Sequence, residues 1–175
     1  MKGLVAIMAL LGTVLLTSCS SSNNFQTGTI DFGIVCSDAE KSVKFYEKIG
    51  FTKFGAFDVP KEVTGDAGLL DYKALSIHVM TLNGAASDTK VKLMTSKTAK
   101  AAPNEFTDSS LGISYITIFV KDAGKTLAML KENKIKILAK GPVDLTPVGF
   151  APNYLIVIRD PDGNLIEFVG PILSK

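Results

Sequence analysis

The apolar positions in the first half of the chain follow two spacings. Short β-branched runs that alternate with polar residues predict strands, and a set of apolar residues at helical spacing predicts a helix after the first strand. We expect this helix to be capped by Ser37, with Glu40 as its capping-box partner, and to end at Gly50. Residues 60–68 read as a loop. The predicted strands cover residues 29–36, 51–57, 72–82 and 90–94, and the apolar helix face holds Ala39, Val43, Tyr46 and Ile49.

The second half repeats the same order of elements. A strand at 113–120 precedes a helix capped by Asp122, and a strand at 135–139 precedes a loop at 141–152. A hairpin ends the chain, with strands at 153–158 and 165–169 around a turn that contains Pro161 and Gly163. Each half reads βαβββ, and such a repeat indicates two copies of one supersecondary unit. We place the modules at residues 29–95 and 112–175, with a polar linker at 96–111.

Two groups of residues carry a resemblance to a known family. The turn Asp160-Pro161-Asp162-Gly163-Asn164 precedes a strand that holds Glu167, and the first module carries the pairs Ser37-Asp38, Phe45-Tyr46 and Gly50-Phe51. This pattern resembles the vicinal-oxygen-chelate superfamily, which includes glyoxalase I, bleomycin-resistance proteins and extradiol dioxygenases. The resemblance implies an α+β fold. Two tandem βαβββ modules would form an open eight-stranded, barrel-like sheet around a pocket, with the helices outside.

The N-terminus predicts export. Residues 1–18 form a cationic start and an apolar run too short to span a bilayer, which is typical of a signal peptide. Its Leu-Thr-Ser-Cys ending resembles the lipobox of bacterial lipoproteins, in which Cys19 is lipidated; the alternative is a plain secretory signal. Residues 19–28 would then be a tether. The expected location is the bacterial cell envelope, with the protein anchored to a membrane through Cys19.

Charge and cysteine content limit the classes of binding partner and the disulfides that the chain can have. The chain carries 19 basic and 17 acidic side chains, interspersed, which argues against a nucleic-acid surface. Besides Cys19 the only cysteine is Cys36, so an internal disulfide is excluded in the mature chain. Cys36 lies in a strand-like run and is expected to be a buried small hydrophobe.

The resemblance also implies a site. In metal-dependent members of the family, four side chains meet in the pocket, with histidine usual on the two first strands and glutamate or glutamine on the last ones. Carried onto this sequence, these positions are Asp31, Lys92, Tyr115 and Glu167, of which only Glu167 matches. A lysine cannot ligate a metal while charged. Our hypothesis is that Lys92 neutralises Asp31 and Glu167 in place of an ion, with Tyr115 donating a hydrogen bond. A register shift of one residue would instead turn Lys92 to solvent.

Two functions remain open. The favoured one is a binding protein that holds a small ligand in a metal-free cleft. The alternative is a glyoxalase-like lyase, isomerase or dioxygenase that uses Zn, Ni, Mn or Fe, with Glu167 and Asp31 as ligands and Tyr115 or His78 as acid or base. His78 is the only histidine, and a lone histidine in a strand is more often half-buried and structural. The modules could close a pocket within one chain or exchange in a homodimer.

Overall fold

The computed structural model describes residues 30–85, 88–95, 99–100, 106–107 and 112–173. The predicted signal peptide, Cys19 and the tether lie outside the described residues, as does most of the predicted linker. Within the described residues, no helix combines the length and the apolar character that a membrane span needs.

The first module forms one four-stranded mixed sheet. Its order is β1-β4-β3-β2, with β1 parallel to β4 and the other pairs antiparallel. Helix α1 follows β1, and a short helix α2 follows β2. The elements are β1 (Phe32–Cys36), α1 (Ala39–Lys48), β2 (Thr52–Val59), α2 (Lys61–Asp66), β3 (Leu75–Thr81) and β4 (Lys90–Thr95).

The second module repeats this arrangement. Its sheet has the order β5-β8-β7-β6, and β5 is parallel to β8. The elements are β5 (Tyr115–Phe119), α3 (Ala123–Glu132), β6 (Val143–Asp144), a 3₁₀ turn (Thr146–Val148), β7 (Asn153–Arg159) and β8 (Leu165–Pro171). Two βαβββ modules in an α+β fold confirm the predicted fold class. The eight strands form two separate four-stranded sheets, so the barrel is not closed.

The ends of the helices differ in part from prediction. Asp38, and not Ser37, caps α1, because its Oδ1 accepts a hydrogen bond of 3.0 Å from the Lys41 amide. The Ser37 amide instead donates to Asp162 of the second module. Asp122 caps α3 as predicted, accepting hydrogen bonds from two amides of the first turn. Gly50, with φ of 104°, follows the end of α1 as expected.

Two loop and strand predictions were wrong. The segment predicted as a loop after β2 contains α2, which is stabilised by the buried Thr64. Its hydroxyl oxygen lies 2.9 and 2.7 Å from the carbonyl oxygens of Lys61 and Lys73, either of which can accept its single hydrogen. The strand predicted at 135–139 is a single bridge between Ile137 and Ile158. A turn with Ala139 at φ of 49° takes the chain away from β7, and the edge strand β6 forms later, within the predicted loop 141–152.

The two modules share one core on the helix side of the sheets. Buried residues of α1 and α3 pack in the same cluster as alternate residues of the strands from both sheets. The β7–β8 turn also joins the modules: the Tyr46 hydroxyl of α1 donates a hydrogen bond of 3.3 Å to Asp160 Oδ2. Cys36 lies in this core and is 1% exposed, which confirms its prediction as a buried residue. Opposite this core, the first sheet carries a second, smaller buried cluster on β3, formed by Leu75, Ile77 and Val79. The rest of the opposite faces is left for a cleft.

Candidate functional site

Strand alternation places one row of side chains on the sheet face opposite the core. In β4, Val91 and Leu93 enter the core, so Lys92 points to the other face. Lys92 is paired with Gly33 of β1, and Asp31 lies two residues earlier along the same row. The structure therefore has the register that places Lys92 on the same face as Asp31, and not the register shifted by one residue.

An ion pair occupies this row. Lys92 Nζ lies 3.0 Å from Asp31 Oδ2, and the side chains of Lys92 and Asp31 are 36% and 29% exposed. The Lys90 amide donates a further hydrogen bond of 3.2 Å to Asp31 Oδ1. The hydrogen bond from Lys92 lowers the pKa of Asp31, and it outweighs the opposing effect of burial. Asp31 is thus held as a carboxylate by a cation.

The equivalent row of the second sheet holds Glu167 without a cation. Thr117 is paired with Glu167 across β5 and β8, and its hydroxyl donates a hydrogen bond of 2.9 Å to Glu167 Oε2. Among the described residues, no hydrogen bond or ion pair joins Glu167 to Lys92 or Asp31. The structure therefore forms the pair Asp31–Lys92 and the pair Thr117–Glu167, and not the single triad of our hypothesis.

Thr117 was missed by sequence reasoning, although a signal was present. It is the polar residue two positions after Tyr115 in an otherwise apolar strand, and so it shares the face of Tyr115. Tyr115 itself is 47% exposed and lines a small cavity of about 170 Å³ between β1 and β5, together with Gly33 and Leu165. Among the described residues, no hydrogen bond joins the Tyr115 hydroxyl to Glu167.

His78 lies on the other face of its sheet. It is paired with Leu93, which is in the core, whereas its neighbour Val79 is paired with Lys92. Its Nδ1 atom is buried and has no hydrogen-bond partner among the described residues. The structure therefore does not bring His78 to the row of Asp31 and Lys92.

An apolar cavity of about 420 Å³ lies beside the second sheet. Leu155 and Val157 line it from β7, where they alternate with the core residues Ile156 and Ile158. Val157 is also the β7 partner of Glu167, so the cavity wall adjoins the Glu167 row. Further lining residues are Phe106, Val143, Arg159 and Leu165.

Comparison with known proteins decides the family. The model of the Glyoxalase/Bleomycin resistance protein/Dioxygenase superfamily matches residues 29–168, which covers both modules. The chain belongs to this superfamily. No curated protein sequence matches the chain significantly.

Solved structures of other glyoxalase-type proteins share this fold. A glyoxalase family protein from Bacillus cereus matches with a TM-score of 0.68 at 19% identity, over 85% of this chain and 97% of that chain. One from Enterococcus faecalis matches with a TM-score of 0.60 at 20% identity, over 82% and 98%. The trypanothione-dependent glyoxalase I of Leishmania major matches with a TM-score of 0.56 at 22% identity, over 81% and 85%. At these identities the likeness shows the fold alone.

The donor set of this glyoxalase-superfamily chain does not fit a divalent metal. Of the four positions that the resemblance predicts as ligands, one holds an ammonium group, and it is already hydrogen-bonded to Asp31. At about 4 Å and an effective dielectric of about 20, this cation opposes each unit of metal charge by about 4 kcal/mol before solvent screening. The Tyr115 phenol would ligate a metal only after losing its proton. The described residues contain no cluster of three or more His, Cys, Asp or Glu side chains that could hold a metal ion.

Proposed function

We propose that this superfamily member binds a small ligand in a metal-free cleft on the bacterial cell envelope. The observation that carries the proposal is the ion pair of Lys92 and Asp31, with 3.0 Å between Nζ and Oδ2, at two positions where metal-dependent members place ligands. The ammonium group of Lys92 balances the charge of Asp31 without a metal ion. The cleft is then a binding surface and not a Lewis-acid centre.

The chemistry of the walls supports a mostly apolar ligand with one polar end. Leu155, Val157 and Leu165 offer an apolar wall to a cavity of about 420 Å³, a volume within the usual range for small-molecule sites. Glu167 is half-buried at the edge of this wall and keeps one carboxylate oxygen that accepts no hydrogen bond from Thr117. That oxygen is an acceptor for a hydroxyl or amine of the ligand.

The proposed location rests on the N-terminal sequence. Lipidation at Cys19 would anchor the protein, and the tether at residues 19–28 would keep the folded modules close to the membrane. Metabolic labelling with a radioactive or clickable fatty acid tests this directly. Label in the wild-type protein that is absent from Cys19→Ala supports the anchor, and equal label in both proteins contradicts it.

Binding of the neutral dye Nile red tests the cleft. We expect saturable fluorescence enhancement that Leu155→Arg abolishes, because a charged side chain would enter the apolar cavity. Val63→Arg, at an exposed position of α2, is the matched control and should bind as the wild type does. EDTA should leave binding unchanged. Loss of binding in EDTA, or equal binding by Leu155→Arg, contradicts the proposal.

A metal-dependent enzyme is the second candidate, and one observation favours it. Glu167 occupies the family's glutamate position, and its partner is the neutral Thr117, so its charge is not cancelled by a lysine. Such an enzyme would be a lyase, isomerase or dioxygenase that uses Zn, Ni, Mn or Fe. Stoichiometric metal in the purified protein that is lost in Glu167→Ala would establish this candidate in place of the first.

We also propose that the protein can form a homodimer. Phe119, on the cleft side of β5, is 81% exposed, and Ile113 just before β5 is 84% exposed. Apolar side chains this exposed favour contact with a second surface. Light scattering coupled to size-exclusion chromatography measures the mass directly: a dimer that Phe119→Ser dissociates supports this proposal, and a wild-type monomer contradicts it.

A further inference from the structure

A second cavity lies between α1 and the segment that follows α3. Its volume is about 620 Å³, and it shares none of its residues with the Asp31–Lys92 or Thr117–Glu167 pairs. Lys41, Lys44 and Lys48 border it from α1, and Lys134 and Lys136 border it from the other side. We call it the basic groove.

The charge of the basic groove is one-sided. Five lysines and Arg159 line it against a single carboxylate, whereas the whole chain carries a net charge of only +2. The lysines of α1 follow one another at helical spacing, which places like charges on one face at a cost to stability. All five lysines are exposed, and among the described residues none of their ammonium groups pairs with a carboxylate.

The one carboxylate of the groove is already satisfied. Asp160 is 6% exposed and accepts hydrogen bonds from the Tyr46 hydroxyl, the Asp162 amide, and the amide and side chain of Asn164. These donors hold Asp160 within the β7–β8 turn, and among the described residues no ion pair joins it to a lysine of the groove. The positive field of the groove is therefore open to an external anion.

The floor of the groove is apolar. Phe45 of α1 faces Ile135 and Leu138 of the segment after α3, and all three are half-buried. A groove with a basic rim and an apolar floor matches a molecule with the same two parts. The volume of about 620 Å³ lies within the usual range for small-molecule sites.

The backbone of Lys134 gives independent support. Lys134 has φ of 56°, in the left-handed region, at the position that Gly50 occupies with φ of 104° after α1. The two residues are equivalent because each is the second residue after its helix, α1 or α3. Glycine adopts this conformation without cost, and a lysine does not. The second module thus keeps a lysine at the groove rim against the preference of the backbone, a pattern typical of functional positions.

We propose that the basic groove binds an amphiphilic anion, with a phosphate, sulfate or carboxylate head held by the lysines and an apolar body on Phe45 and Ile135. Such a head could belong to a soluble metabolite or to a membrane lipid, and the chemistry of recognition is shared. The basic groove shares Leu138 and Arg159 with the apolar cavity beside the second sheet. Lys44 and Lys134 line only the groove, so variants at these two positions test it independently of the proposed function.

Isothermal titration with decyl phosphate tests the groove. We expect saturable binding of one molecule per chain, weaker at higher salt, and weaker binding of inorganic phosphate, which lacks the apolar body. Decyl maltoside, which has the same chain and a neutral head, should not bind. Lys44→Glu and Lys134→Gly should each lower the affinity for decyl phosphate by about tenfold or more. Lys53→Glu, on an exposed position of β2 outside the groove, is the control and should bind as the wild type does.

Lys134→Gly separates function from folding. Because glycine relieves the left-handed backbone, this variant should melt at the wild-type temperature or above while it loses affinity. Weaker binding in Lys134→Gly with an unchanged or higher Tm is the result that a purely structural Lys134 would not give. Wild-type affinity in both Lys44→Glu and Lys134→Gly overturns the proposal, as does no binding by the wild type or equal binding of decyl maltoside.

Vesicles distinguish the sources of the anion. If the protein co-sediments with vesicles of phosphatidylglycerol and phosphatidylcholine and also binds decyl phosphate in solution, the bound anion is a membrane lipid. Decyl phosphate binding without co-sedimentation assigns a soluble anion. Co-sedimentation without decyl phosphate binding shows a diffuse attraction between surfaces and overturns the groove.

Discussion

Replacing Tyr46 by phenylalanine removes one hydroxyl from the junction of the modules and little else. The Tyr46 ring is 1% exposed, and it packs edge-on against Phe45 and Phe51 with centroid separations of 5.7 and 5.3 Å, contacts that phenylalanine keeps. The hydroxyl donates to Asp160 Oδ2 at 3.3 Å. Burial, followed by the charge of Asp160, raises the pKa of Tyr46, so the hydroxyl remains a donor at all ordinary pH values.

The size of the expected loss in unfolding free energy follows from the charge of the acceptor, Asp160. A hydrogen bond to a charged group contributes about 1.5–3 kcal/mol, and the 3.3 Å separation places this bond at the lower end. We therefore expect Tyr46→Phe to lower the free energy of unfolding by about 1.5 kcal/mol. For a protein of this size that corresponds to a fall in Tm of roughly 3–6 °C.

Urea unfolding followed by circular dichroism at neutral pH measures this loss. Tyr154→Phe is the matched control, because the Tyr154 hydroxyl has no hydrogen-bond partner in the part of the chain that the structure describes. Combining Tyr46→Phe with Asp160→Asn should give less than the sum of the single effects, since both changes act on one bond. A Tyr46→Phe loss no larger than that of Tyr154→Phe would show that the Tyr46 hydroxyl does not stabilise the junction of the modules.

Three further predictions use other contacts. Gly170→Ala should destabilise the protein by about 1–3 kcal/mol in urea, because the new Cβ would collide with the Val120 carbonyl oxygen; an unchanged midpoint contradicts this contact. Since the folded-state pKa of Asp31 is lowered, its contribution is present above pH of about 4 and lost in more acidic solution. Asp31→Asn should therefore be less stable than the wild type at neutral pH, by under about 1 kcal/mol because the pair with Lys92 is partly exposed, and equal to it in acid. Burial raises the pKa of the Cys36 thiol, so native protein should resist iodoacetamide at Cys36, as read by mass spectrometry, until it is unfolded.

Local sequence was sufficient for the elements that local chemistry specifies. The Asp-Pro-Asp-Gly-Asn turn predicted the β7–β8 hairpin, and in the structure Gly163 adopts φ of 92° within it. The repeat of strand and helix predicted both βαβββ modules. The side of β4 that Lys92 occupies was left open by the sequence, because a register shift of one residue reverses it. The structure places Val91 and Leu93 in the core and Lys92 on the other face.

The missed features depend on contacts between distant residues. Ser37 has a suitable side chain for the cap of α1, but its amide is taken by Asp162 from 125 residues away, and Asp38 caps the helix instead. Residues 135–139 have the composition of a strand and yet make one bridge, because the turn at Ala139 redirects the chain. The partner of Glu167 also depends on the register of β5 with β8, which brings Thr117 opposite it.

Zinc titration of the wild type and of a rebuilt site tests whether Lys92 stands in place of a metal ion. Asp31→His, Lys92→Glu and Tyr115→His, made together, remove the Lys92 cation and give the chain the ligand types that metal-dependent members use. By isothermal titration, the wild type should show no saturable zinc binding. The triple variant should bind one ion per chain and lose it when Glu167→Ala is added. Tight stoichiometric zinc in the wild type, lost in Glu167→Ala, would contradict a cleft balanced by Lys92.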